Sequence, residues 1–386
     1  MSGGGARGAY EAGVLAYIFQ ELPPRLLANA PVKVLCGTSV GAVTACFLAG
    51  NAHLPHMNTA RLLDLWRRLR LDKTMRLSIT DLLRMPLELR ATFRQEAAGV
   101  LLNSAVLQEI VVRETPWVQI RHNIRAGVLS ALTVSATHIA SGRTVVFVDR
   151  TDGTTPPWSR DTRVAARPTR IRPAHAMASA AIPYLFAPIA IDGAWYCDGS
   201  VRQNTPLSPA LRLGADRVLV LGLRYDGPDQ DWPPKLEEPA PQPFEYMGKL
   251  LNSLMLDNLD YDLKTLQGFN ELLKAGKLTF GDAFLPHINE TTTRYRGAGY
   301  REVQAVFIRP SRDIAELANE FVRLVHPNIG GLPGWILSKI AQTQVQRSDI
   351  LSYLLFDGRY AQTLIELGMR DADANRERLI AFFRDD

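Results

Sequence analysis

The chain has 386 residues, with 44 Lys and Arg against 39 Asp and Glu, a net charge of +5. That length holds one large domain or two ordinary ones around a closed core, and the small positive balance excludes the charge signature of a nucleic-acid binder while leaving some attraction to anionic surfaces. No apolar run reaches the roughly eighteen residues of a membrane span, and the amino terminus lacks the basic-then-apolar pattern of a secretion signal, so the expectation is a cytoplasmic protein, at most peripheral at a membrane.

The chain opens on a glycine-rich loop, Ser2-Gly3-Gly4-Gly5-Ala6-Arg7-Gly8, and continues from Tyr10 to Phe19 with a helical pattern. Adjacent glycines let several N–H groups converge on one oxygen, and a helix start adds its dipole, so this is a cradle for a phosphate or an oxyanion. The Lys and Ser/Thr of a P-loop are missing. Arg7 beside the loop suits an anion contact, a loop-steadying role or a surface ion pair.

Pro31 to Cys36 is then predicted as a strand and Val40 to Gly50 as a small apolar helix. Between them lies Gly37-Thr38-Ser39-Val40-Gly41. Strand, Gly-x-Ser-x-Gly, helix is the sequence of a sharp turn that lifts a serine hydroxyl clear of its backbone at a helix start, where N–H groups favour developing negative charge. A Cβ at Gly37 or Gly41 would crowd that turn. Thr59 to Arg94 is expected to be helical and rich in Arg and Lys, either a solvated face or a patch facing lipid headgroups. Asn103 to Glu114 continues as helix, and Leu129 to Thr137 and Arg143 to Asp149 are strands.

An arginine-rich stretch (Arg160, Arg163, Arg167, Arg170 and Arg172) leads into a small-residue helix over 173–182 stopped by Pro183. Asp192-Gly193 between two short apolar runs signals a hairpin. Asp198-Gly199 follows at once; a carboxylate at the tip of an apolar strand is either a catalytic group or an ordinary turn aspartate. Asn204 to Leu213 is predicted as helix and Arg217 to Leu223 as a buried strand. Asp226 to Pro243 is Pro- and acid-rich, a lid, surface loop or linker. Phe244 to Gly276 is mostly helical, Val303 to Arg309 a strand, and Asp313 to Phe383 nearly all helix, broken near Pro327-Asn328 and Gly330-Gly331. Within that break the apolar, glycine-interrupted segment from Asn328 to Leu337, with Trp335, fits an interfacial loop or a buried corner. Cys36, Cys46 and Cys197 lack metal-ligand spacing and read as buried reduced thiols. Strands alternating with helices make the class α/β.

Three of these motifs, in this order, resemble the patatin-like phospholipases. Ser2 to Gly8 is similar to that family's oxyanion loop, Gly37 to Gly41 to its nucleophile elbow, and Asp198-Gly199 to its aspartate motif. Ala178-Ser179-Ala180-Ala181-Ile182-Pro183, with Phe186 and Pro188, resembles a recurrent segment of the family, and the likeness spans residues 2–223. It implies a three-layer α/β/α fold with a central, mostly parallel sheet and a helical carboxy-terminal region. The expected organisation is a catalytic core over 1–223, a Pro- and acid-rich loop over 224–243, and a mostly helical region over 244–386 completing the same domain. The resemblance further implies hydrolysis of phospholipid or other acyl-ester lipids by a Ser39–Asp198 dyad, with no cofactor or metal. Gly3, Gly4, Gly5, Arg7, Gly8 and Val40 would lie on the anion side, and Gly37, Gly41 and Gly199 are the motif glycines.

In two places the chain departs from the family pattern. A strand usually precedes the glycine loop, and here only Met1 does; the aspartate motif reads Asp-Gly-Ser, where Gly or Ala usually follows, and Ser200 is expected to matter little. Two other readings stand beside the dyad. One is a Ser-His-Asp esterase using His287 or His326, with His175 as a further histidine to control for; the other is an idle lipid- or anion-binding protein that kept the cradle.

Overall fold

The computed structural model describes residues 1–70, 105–156, 158, 162–183, 185–225, 227, 249, 252–253, 259–296, 298–325 and 349–384. A short 3-10 turn at Gly5–Arg7 leads into α1 (Gly8–Glu21), followed by α2 (Pro24–Asn29), β1 (Val34–Thr38), α3 (Val40–Asn51), α4 (Thr59–Arg67), α5 (Ala105–Glu114) and α6 (Trp117–Arg125). Next come β2 (Ala131–His138), β3 (Arg143–Arg150), β4 (Val164–Pro168), α7 (Pro173–Ser179), β5 (Ile189–Ile191), β6 (Ala194–Asp198), α8 (Leu207–Arg212) and β7 (Arg217–Leu221). The rest is α9 (Leu259–Phe280), α10 (Phe284–Arg296), β8 (Gln304–Ile308), α11 (Ile314–Val325), α12 (Asp349–Leu354), α13 (Gly358–Ala374) and α14 (Arg376–Phe383). The basic stretch beyond Arg70, nearly all of the Pro- and acid-rich loop, and the Trp335 segment lie outside the described residues.

Among the described residues the main sheet has six strands, in the order β4-β3-β2-β6-β5 with β1 also on β2. It is mixed rather than mostly parallel: β1–β2 and β3–β4 are parallel, while β2–β3, β2–β6 and β5–β6 are antiparallel. The connections decide this, because a short turn can only return a strand antiparallel. Residues 139–142 join β2 to β3, and Asp192-Gly193 joins β5 to β6 with positive φ at both residues (49° and 80°), the left-handed pair that Asp-Gly supplies in a two-residue hairpin. Strand β4 (Val-Ala-Ala-Arg-Pro), in the arginine-rich stretch, gave no strand signal in the sequence, because its side chains are mostly small and it ends on a proline. It is an edge strand and half-exposed.

The two partners on one side of β2 position the site. Parallel to β2, β1 runs until Thr38 stands opposite Ser135; antiparallel to it, β6 runs until Asp198 stands opposite Ala136. The strands therefore approach head-on along one edge of β2, and their carboxy-terminal ends meet at neighbouring residues.

Strands β7 and β8 pair in parallel as a separate two-stranded sheet. Between β1 and β7 lies a cavity of about 470 Å³, lined by both strands and by side chains of α1 and α14. Met1 lines it at one end, beside β1. The Met1 ammonium donates to the Cys36 carbonyl at 3.1 Å and the Met1 carbonyl accepts the Thr38 N–H at 3.4 Å, the pattern of a parallel bridge. Ser2 Oγ donates to the Leu221 carbonyl at 2.5 Å.

Helices α1 and α3 are buried on almost every side, as their apolar, small-residue sequences require. The carboxy-terminal α13 lies along α1, where Gly13 and Gly368 bring the two backbones together and the Tyr10 hydroxyl donates to Asp371 at 3.0 Å.

Candidate active site

Ser39 sits between β1 and α3 with φ at 53°. Non-glycine residues rarely adopt this left-handed conformation, and they hold it only where surrounding structure fixes them. Two close approaches do so here. A Cβ on Gly37 would run into the backbone of Gly41 and Ala42, and one on Gly41 would come within 2.6 Å of the Met1 and Ser2 carbonyls. A hydrogen bond supplies the third constraint: the Ser39 N–H donates to Ser179 Oγ at 2.8 Å, and that hydroxyl donates onward to the Ser135 carbonyl at 2.6 Å.

Across the meeting point of β1 and β6, Ser39 Oγ donates to Asp198 Oδ2 at 2.6 Å. The other oxygen, Oδ1, accepts the Ser200 N–H at 2.8 Å. The Asp198 backbone is pinned on both sides, its N–H to the Ala181 carbonyl at 2.8 Å and its carbonyl to Thr137 Oγ1 at 3.0 Å. Asp198 is wholly buried and Ser39 nearly so. Burial pushes the Asp198 carboxyl up to about 6, against the opposing pull of the bonds from Ser39 and Ser200. A carboxylate at its ordinary value is a weak base at neutral pH, so this shift moves Asp198 toward the range where a base both stays ionised and accepts a proton readily.

The glycine loop lies directly over this pair. Its first two amides are already used: Ser2 N–H donates to Glu11 Oε1 at 2.6 Å, and Gly3 N–H to Asn204 Oδ1 at 2.8 Å. Among the described residues, the Gly4, Gly5 and Val40 N–H groups make no hydrogen bond within the chain. Gly5 and Val40 line the same cavity as Ser39. Gly8 is already within α1, packed against the Val40 side chain. Gly199 abuts the Ser135 carbonyl, where no Cβ would fit.

Arg7 is not on the surface. Its guanidinium is buried over the Tyr353 ring at 4.0 Å, donates to Ser352 Oγ at 2.8 Å and to Asn252 Oδ1 at 3.3 Å, and lies 3.7 Å from Asp349. These contacts tie the loop to α12, the loop-steadying alternative among the three readings of this arginine. Glu11 and Asn204 carry no motif signal, and Ser179 and Ser200 lie inside motif segments that do not say what each side chain holds. Their roles come from partners distant in sequence, which a single sequence does not reveal.

The cavity at Ser39 measures about 160 Å³ and is almost wholly apolar, with Val43, Phe47, Leu62, Trp66, Met177 and Ile182 in its wall. Trp66 and Phe356 stack across it, ring centroids 6.4 Å apart and planes within 8°. Among the described residues no histidine lines it. His175 is buried on α7, where its Nδ1 accepts the Arg172 N–H at 3.0 Å and its ring meets the Phe147 ring edge-on at 4.6 Å; burial pushes it down to about 4, so it is neutral. His287 is exposed on α10 with Glu290 beside it, and His326 lies outside the described residues. Burial pushes all three cysteine thiols up, Cys197 to about 11.

A serine hydroxyl bonded to a buried carboxylate, with amides nearby and an apolar cavity, is an arrangement that can cleave an ester whose acyl part is apolar. A family model described as patatin-like phospholipase matches residues 1–211. Among solved structures the chain is similar to VipD from Legionella pneumophila, at 13% identity and a TM-score of 0.32, covering 95% of this chain and 66% of that one. It therefore spans just under two thirds of that protein's length. Among the described residues no helix is long and apolar enough to cross a membrane.

Proposed function

The chain belongs to the patatin-like phospholipase family, and from that premise we propose that it is a lipid acyl hydrolase in which Ser39 is the nucleophile and Asp198 the base. The observation that carries this reading is the 2.6 Å hydrogen bond from Ser39 Oγ to Asp198 Oδ2 in a buried site. Ser39 Oγ attacks the acyl carbonyl carbon while Asp198 takes its proton. The bond to the leaving alcohol then breaks, and Asp198 returns the proton to that oxygen. Water, deprotonated by Asp198, cleaves the acyl-enzyme and restores Ser39. Gly4, Gly5 and Val40 N–H groups face the developing oxyanion. The apolar cavity takes the acyl chain, and the substrate class is phospholipid or another acyl-ester lipid presented at a membrane or micelle surface.

Labelling by a fluorophosphonate tests the reading. The wild type should be modified at Ser39, and Ser39→Ala and Asp198→Asn should each lose ester hydrolysis by about three orders of magnitude or more, because the two act as one unit. His175→Ala, His287→Ala and His326→Ala should stay active. A folded histidine variant as silent as Ser39→Ala would replace the dyad with a triad; an unlabelled but folded wild type would make the protein an idle binder.

A further inference from the structure

Ser200 follows Asp198-Gly199 in a short 3-10 turn, Gly199–Val201, that Asp198 itself caps. Its side chain is 1% exposed, and Oγ has no hydrogen-bond partner of good geometry. A buried hydroxyl left unpaired is costly, so such an atom needs a reason to be there. Its surroundings are specific. Ser200 Oγ stands against Cα of Gly3 on the glycine loop, at a point where Asn204 Oδ1 and Ser39 Cβ also converge, each 2.8 Å from the position a Gly3 Cβ would take. The Ser200 N–H already donates to Asp198 Oδ1 at 2.8 Å. The hydroxyl therefore sits where the turn that follows Asp198 meets the glycine loop and the Ser39 side chain. A carboxylate has lone pairs for more than the two donors that Asp198 now holds.

We propose that Ser200 is a positioning residue of this site, whose hydroxyl turns to donate a third hydrogen bond to the Asp198 carboxylate and keeps it ionised when Ser39 gives up its own. This rests on the reading of Asp198 as the base. The alternation explains the unpaired hydroxyl. In the resting site Ser39 holds Oδ2, and once Ser39 Oγ is bonded to the acyl group its donor is gone. Ser200 then supplies the missing donor while Asp198 waits, ionised, to activate water. The exchange moves only a hydroxyl rotor and breaks no covalent bond.

The same donation makes Asp198 a weaker base, so its effect is read in pH. Titratable groups on the elements packed around Asp198 are Cys197 beside it, His175 on α7, His138 on β2, Cys36 on β1, and Met1, Arg7 and Glu11 at the amino-terminal end. Cys197 and Cys36 are pushed up by burial, and His175 is neutral. His138 pairs with Ser141 through Nδ1, and Arg7 is engaged with α12. Glu11, pushed up to about 7, titrates close to Asp198 and must be separated from it.

The test is the pH dependence of kcat on an activated ester for which release of the acyl group is the slow step, measured for Ser200→Ala in the wild type and in a Glu11→Gln background, with folding followed by circular dichroism. Removing a donor to a carboxylate raises its pKa. The acid limb should therefore move up by about one pH unit, the size of one charge-assisted bond, in both backgrounds, with activity at pH 9 within about threefold of the parent. A folded variant whose limb does not move, or whose activity falls equally at every pH, overturns the proposal, because a purely structural hydroxyl would do the latter. If Ser200→Ala unfolds, Ser200→Cys, which fills the space with a weak donor, is measured in its place against the same two outcomes. Ser39→Ala in the same assay separates the premise: if that variant keeps its activity, the dyad reading itself is wrong.

Discussion

The Ser39 amide is held by the hydroxyl of Ser179, 140 residues away in sequence, at 2.8 Å. The positive φ of Ser39 is thereby fixed from α7 as well as from its own strand and helix. Ser179→Ala leaves that N–H unpaired in a buried site, which costs about 1–3 kcal/mol. The variant should melt several degrees lower and lose about tenfold or more in kcat with little change in KM. An unchanged kcat in a folded protein would show that the elbow holds itself.

Asn204 plays the matching part for the glycine loop. Its Oδ1 accepts the Gly3 N–H, and its carbonyl lies 3.3 Å from the same amide. Asn204→Ala should loosen the loop relative to Ser39 and slow fluorophosphonate labelling by about tenfold, since misplaced oxyanion donors lose much of their worth. Labelling at the wild-type rate would mean that the buried Arg7 anchor is sufficient.

Glu11 makes stability depend on pH. Burial raises its pKa from the ordinary value of 4.5 to about 7 in the folded protein, partly offset by the Met1 ammonium and the Ser2 N–H. Between those values the folded state holds a proton that the unfolded state has released. The contribution is therefore complete below about pH 4.5 and is lost as pH rises through 7. Glu11→Gln should narrow the difference in Tm between pH 5 and pH 8. A difference as wide as the wild type's would place the pH dependence elsewhere, with Asp198 as the next group to test.

The stacked pair Trp66 and Phe356 bounds the cavity beside Ser39. Trp66→Ala removes most of that wall. It should shift the ratio of kcat/KM for long over short acyl esters upward by about tenfold, the scale on which an apolar pocket discriminates a methylene or more. A ratio that stays constant, with both esters slowed alike, would mean the acyl chain leaves the cavity by another side.

The local pieces were legible in the sequence because local chemistry dictates them. Gly-x-Ser-x-Gly between an apolar strand and a small-residue helix allows little but an elbow, Asp192-Gly193 specifies its hairpin by its own backbone preferences, and the amino-terminal glycines announce a loop of exposed amides. The helical carboxy-terminal region could likewise be read from its periodicity. The residues around Asp198 by themselves left a turn aspartate open, the resemblance paired it with Ser39, and the tertiary structure shows how the two side chains come to share a hydrogen bond. Residues 39 and 198 meet because β1 and β6 end opposite Ser135 and Ala136 of one strand, and no local pattern encodes a shared partner. The same holds for burial. Asp198, Glu11 and His175 owe their displaced proton affinities to desolvation by packed elements, so their chemistry at neutral pH was decided only when the chain closed around them.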